Sequence, residues 1–100
     1  MMITRSKLIN ALRDVIDPEL NINIIDLGLV YRAETHLRKI IIDFTLTYPG
    51  CPLADHIENE IYTHVGKITS KRIEANLVFD PPWDESRMSE EARVAFGYPI

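Results

Sequence analysis

The chain has one cysteine, Cys51, within the segment YPGCP (48–52). Proline is favoured at the first position of a helix. Pro52 therefore puts Cys51 at or beside the N-cap of a helix through the residues that follow. The free N–H groups and positive end of a helix favour a thiolate there. A thiolate is the form that attacks electrophiles and binds soft metals, and Gly50 leaves space for something to approach. The competing reading is a small buried hydrophobe. Thr45 and Thr47 precede this loop on one strand face and could present hydroxyls beside Cys51, although threonine is also an ordinary strand residue. Asp17, Glu19 and Asp26 form an acidic loop suited to binding a cation or orienting a partner. Asp–Pro is equally a turn former. Asp26–Leu27–Gly28 reads as a tight bend with Gly28 at positive φ. Trp83, behind two prolines, either packs over the sheet edge or anchors a partner.

The histidines carry less. His56 and His64 lie eight apart on one helix, where a metal pair wants a spacing of about four. His56 is five residues beyond Cys51, and His36 sits in a turn. No Ser-His-Asp order, phosphate-binding glycine loop or dinucleotide fingerprint is present. A Cys–His nucleophile pair stays open, but no histidine is placed to make it persuasive.

The elements that position these residues follow from periodicity. Leu8, Ile9, Leu12, Val15 and Ile16 make one helical stripe, and Pro18 ends the helix before Asp17. Residues 17–28 read as a loop with Ile22, Ile24 and Ile25 tucked inward. Residues 29–35 and 38–47 read as strands paired in a hairpin around His36–Leu37. In the second, Ile40, Ile42, Phe44 and Leu46 share the core face, and Ile41, Asp43, Thr45 and Thr47 share a half-open face. Leu53, Ile57, Ile61, Val65 and Ile68 mark a helix over 53–69. Ile73, Ala75, Leu77 and Phe79 mark one side of a third strand over 72–79. DPPW (80–83) forces a rigid extended turn, and Ser89 caps a last short helix through EEARVAF. The order helix, strand, strand, helix, strand, helix predicts an α+β fold. It is a two-layer α/β sandwich whose three-stranded mixed sheet carries the helices on one face. Its outer face should bear Asp43, Thr45, Glu74 and Asn76.

The 100 residues make a single domain. One cysteine excludes an internal disulfide and a four-cysteine metal site within one chain. Eleven Lys and Arg against fifteen Asp and Glu give a net charge of −4. The basic footprint of a nucleic-acid binder is missing. No apolar stretch reaches the ~20 residues of a membrane span, and the N-terminus lacks a signal-peptide pattern. A cytoplasmic protein with a reduced thiol is expected.

The segments LINALRDVIDPEL (8–20), INIIDLGLVY (22–31), TLTYPGCP (45–52), DPPW (80–83) and MSEEAR (88–93) together resemble the iron–sulfur cluster assembly domain family. This small-domain group includes the phenylacetate-oxygenase maturation subunit and the Suf-associated and cytosolic assembly factors. The resemblance runs over residues 6–97. It implies an α/β sandwich and an accessory, non-enzymatic role in cluster assembly, delivery or client maturation. It further implies Cys51 as cluster ligand or reactive thiol, with Asp17, Glu19, Asp26, Thr45 and Thr47 at the motif positions around it. The partners implied are iron–sulfur assembly proteins and client apoproteins. The chain lacks the cysteine-rich C-terminal segment of phenylacetate-type relatives. An iron–sulfur cluster would then be shared with a second subunit of a homodimer, a small thiol or a client. Two rivals stand beside this reading: a cofactor-free adaptor that docks through the Asp17–Asp26 loop and Trp83, and a thiol enzyme using Cys51.

Overall fold

The computed structural model describes residues 3–97. Helix α1 spans Arg5–Leu12. Thr4 caps it, its hydroxyl accepting from the Lys7 N–H at 3.1 Å. The apolar stripe runs on to Ile16, but the helix does not. The Asp14 and Val15 N–H groups bond to the Ala11 and Leu12 carbonyls three residues back, which tightens and ends the last turn. Ile16–Asp17 (β1) then pairs antiparallel with Ile22–Asn23 (β2). The stretch expected to be a loop is therefore partly a small two-stranded ribbon. Its turn is built by Asp17, whose Oδ1 accepts from the Glu19 and Leu20 N–H groups at 2.9 and 3.1 Å. Asn21 takes a φ of 58° there, a conformation that asparagine tolerates better than most residues.

The main sheet has three strands in the order β3 (Val30–Thr35), β4 (Lys39–Phe44), β5 (Arg72–Leu77). β3 and β4 form the antiparallel hairpin, with Ala33 opposite Ile42. β4 and β5 run parallel, with Ile42 beside Ala75 and Phe44 beside Leu77. Helix α2 (Ala54–Gly66) makes the crossover between them. α1 and α2 pack on each other, α1 on β3 and α2 on β5, which gives the expected second layer. Leu8, Leu12, Val15, Ile40, Ile42, Ile57, Ile61 and Val65 are fully buried between the layers. Each contributes about 1.5–3 kcal/mol of hydrophobic burial. The opposite face of the sheet carries a mesh of charge: Arg32 with Glu34 and Asp43, Lys39 and Arg72 with Glu74, Asn76 with Asp43.

Two expectations about the strands need correction. Thr45 is fully buried, not on the half-open face. β4 stops at Phe44, so the two-residue alternation no longer governs the following position. Leu77 and Phe79, assigned to an apolar side, are each 40% exposed, although Ile73 and Ala75 on the same side pack against the core.

After β5 the chain folds back past the β2–β3 turn. The Asp80–Pro81 bond is cis. The Tyr31 hydroxyl donates to the Pro81 carbonyl (2.9 Å), and the Ser89 N–H donates to the Asp26 carbonyl (2.7 Å). A 3-10 turn over Glu85–Arg87 leads to helix α3 (Glu90–Ala95), capped by Ser89 as expected. Gly28 does sit at positive φ, 75°. A Cβ there would fall 2.1 Å from the Arg87 carbonyl oxygen, so glycine also permits the close approach of the returning segment. No helix among the described residues is long and apolar enough to cross a membrane.

Candidate functional site

Cys51 lies in a four-residue turn. Its N–H donates to the Tyr48 carbonyl at 3.2 Å, with Pro49 and Gly50 at the two central positions. Pro49 presets the backbone for such a turn. The cap of α2 is Leu53, so Cys51 sits two residues upstream of the N-cap rather than on it. The turn consumes the residues that would otherwise have extended the helix. Cys51 is a free thiol, 9% exposed, at the margin of the core. Gly50 is open: a Cβ added to it would meet only the Tyr48 ring, at 3.9 Å.

Tyr48 identifies what surrounds the thiol. Desolvation raises its phenol above the ordinary tyrosine value, and proximity to Cys51, Glu19 and Asp17 pushes the same way. Leu20 of the Asp17–Asn21 turn and Thr47, next to Tyr48, line one cleft, so the two segments lie near each other although about thirty residues separate them. Asp17 is 3% exposed and holds its turn together, while Glu19 is exposed. Tyr48 did not stand out from the sequence. The available signal was its place three residues before Cys51 across a Pro–Gly pair.

The other candidates divide. Thr45 is buried with its hydroxyl oxygen lacking any hydrogen-bond partner, while its N–H donates to the Leu29 carbonyl at 2.8 Å. Thr47 is half-buried and lines a cleft of about 170 Å³ with Leu20, Trp83, Met88 and Phe96. Leu20 comes from the acidic turn and Thr47 adjoins Tyr48, so this cleft flanks the Cys51 site. Trp83 is pinned by its indole N–H, which donates to the Leu27 carbonyl at 2.8 Å. Asp26 is drawn away from the cluster. Its carboxylate takes Arg13 at 3.1 Å and Asn23 at 2.8 Å, and it ties α1 to the ribbon. His56 is exposed and makes no hydrogen bond to Cys51, and His64 lies 3.6 Å from Glu60.

Among the described residues no three His, Cys, Asp or Glu side chains converge as a metal centre. The chain is thus a two-layer α+β domain with one free thiol, Cys51, in a turn at the margin of the core. Residues 5–77 match the family described as iron–sulfur cluster assembly protein, and the chain belongs to that family. It is 35% identical over 97 residues to an Fe-S protein maturation auxiliary factor of Porphyromonas gingivalis, covering 95% of this chain and 92% of that one. It is 40% identical over 85 residues to the Fe-S protein maturation auxiliary factor SufT of Staphylococcus aureus, covering 83% and 97%. A crystal structure of a domain of unknown function from Bacillus anthracis superposes with a TM-score of 0.89 at 37% identity, covering 95% and 92%.

Proposed function

We propose that this protein is an accessory factor in iron–sulfur cluster assembly, and that Cys51 is the thiolate that holds or hands over metal–sulfur cargo to client apoproteins. The observation that supports the reading is a free, nearly buried thiol in the Tyr48–Cys51 turn, beside a cleft that Thr47 shares with Leu20 of the Asp17–Asn21 turn. It gives a lone thiol a partly enclosed setting at the edge of the core. One thiolate cannot complete the ligand set of a cluster. The remaining ligands come from a client, a small thiol or a second subunit, and the cluster is cargo rather than a resident cofactor. The role is that of a carrier or maturation factor, not a catalyst. It operates in the cytoplasm, where a lone thiol stays reduced.

Anaerobic reconstitution with iron, sulfide and a small thiol, followed by absorption spectroscopy, tests the assignment. Wild type should develop cluster absorption and Cys51→Ala should not. Equal spectra from the two proteins would remove Cys51 from the ligand set. The Trp83 cleft favours a second reading, an adaptor that docks clients. Client capture that survives Cys51→Ala but fails with Trp83→Ala would identify it.

A further inference from the structure

A groove of about 290 Å³ lies between β3 and α1. Residues 30–33 form its strand wall, and Arg5 and Ile9 of α1 complete it with Ile25. Arg32 belongs to the charged outer face of the sheet, while Ala33 is buried on the helix side. Side chains on opposite faces line one groove only along the edge of their strand. The other edge of β3 is taken by β4. The groove is therefore the open edge of β3.

Its backbone groups are unpaired. The His36 N–H donates across the hairpin to the Lys39 carbonyl at 2.8 Å. Hydrogen-bonded and non-hydrogen-bonded pairs alternate along an antiparallel ladder. Glu34 and Arg32, opposite Ile41 and Asp43, therefore turn their N–H and C=O groups inward, and Ala33 and Thr35 turn theirs to the edge. No hydrogen bond from another described residue reaches the backbone of Ala33 or Thr35 on that side. Ile9, Ile25 and Val30 are half-buried and give the groove an apolar lining. Two guanidinium groups and no carboxylate line it, in a chain whose net charge is −4. Arg5 is exposed and has no ion pair among the described residues. Glu34, the acid of β3, is held by Arg32 at 2.8 Å and His36 at 2.9 Å and does not line the groove.

We propose that the β3 edge takes an extended acidic peptide segment of a partner protein as a fourth strand. The backbone of that segment pairs with Ala33 and Thr35, an apolar side chain lies against Ile9 and Ile25, and a carboxylate reaches Arg5. A small anion would satisfy Arg5 but leave the edge backbone and the apolar lining unused. This docking does not involve Cys51, so its test is separate from cluster reconstitution.

NMR and hydrogen exchange of the full chain with the capped peptide acetyl-Thr-Val-Thr-Glu-Thr-Val-amide test the proposal. Shift changes should fall on β3 and α1. Exchange of the Ala33 and Thr35 amides should slow about tenfold at a peptide concentration about ten times its Kd. The same peptide with lysine for glutamate should bind about tenfold more weakly, and Arg5→Glu should reverse that preference, an outcome that misfolding would not produce. N-methylation of one alternate set of peptide amides should abolish binding, and methylation of the other set should not, because only one set faces β3. Equal binding of the glutamate and lysine peptides, tolerance of both methylation patterns, or shift changes confined to other elements would overturn the proposal. So would slow exchange at Ala33 and Thr35 in the protein alone together with sedimentation as a dimer, which would give the edge to a second copy.

Discussion

Replacing Thr45 by valine should make this protein more stable and less able to handle its cargo. Thr45 has no exposed surface, and its Oγ1 has no hydrogen-bond partner. A buried hydroxyl left unpaired costs about 1–3 kcal/mol relative to its hydration in the unfolded chain. Valine has nearly the same shape, so the substitution opens no cavity. The Thr45 N–H bond to the Leu29 carbonyl is made by the backbone and survives. The expected gain is therefore about 1–2 kcal/mol. In a domain of this size each kcal/mol shifts the melting temperature by about 4–8 °C. Urea denaturation should show a higher midpoint with an unchanged slope. Cluster formation in the reconstitution assay should fall in parallel, because Thr45 belongs to the segment that leads into the Cys51 turn and retains a polar group that packing does not use. A midpoint that drops below wild type would refute the reasoning, since it would mean that the hydroxyl is hydrogen-bonded in the folded protein. A higher midpoint with undiminished cluster formation would leave Thr45 a packing residue alone.

Two further outcomes follow from geometry. Gly28→Ala should destabilise by about 2–4 kcal/mol, from a left-handed backbone disfavoured for alanine and from a backbone clash. The added Cβ would sit 2.1 Å from the Arg87 carbonyl oxygen; a urea midpoint within error of wild type would show that the Glu85–Arg87 turn yields freely. Glu34 should titrate at about 2 by carboxyl NMR, lowered from 4.5 first by the Arg32 hydrogen bond and then by His36. Its folded value lies below its unfolded one, so its contribution to stability is present above about pH 4.5 and is lost as pH falls through about 2. Arg32→Gln should return the titration toward the ordinary glutamate range.

Much of the fold is legible in the sequence because its stripes are strong. Ile57, Ile61 and Val65 recur at helical spacing, and all three are buried. Ile40, Ile42 and Phe44 alternate, and β4 buries them all. Gly28 and Ser89 announce a positive φ and a helix cap, and both take those roles. The failures share one cause, that local pattern says nothing about what lies across the fold. The residues of the DPELNIN segment (17–23) form part of a ribbon because the Val15 carbonyl is taken by the Ile24 N–H and Ile16 finds Asn23 opposite it. Asp26 looks like Asp17 in sequence. Arg13 and Asn23 claim its carboxylate, while the Asp17 carboxylate accepts from the Glu19 and Leu20 N–H groups and holds its own turn.

The sequence by itself determined the α+β architecture, the family and the single thiol with its prolines on either side. These depend on residue type and on spacing over a few positions, where backbone geometry dictates which side chains share a face. Only the tertiary structure decided that Leu20 and Thr47 share one cleft beside the Cys51 turn and that Thr45 is buried with an unpaired hydroxyl. The parallel crossover also puts β5 at the edge of the sheet, with Leu77 at its end 40% exposed. Such facts depend on which distant segments the core brings together, and burying all the apolar stripes at once is a property of the whole chain rather than of any window within it.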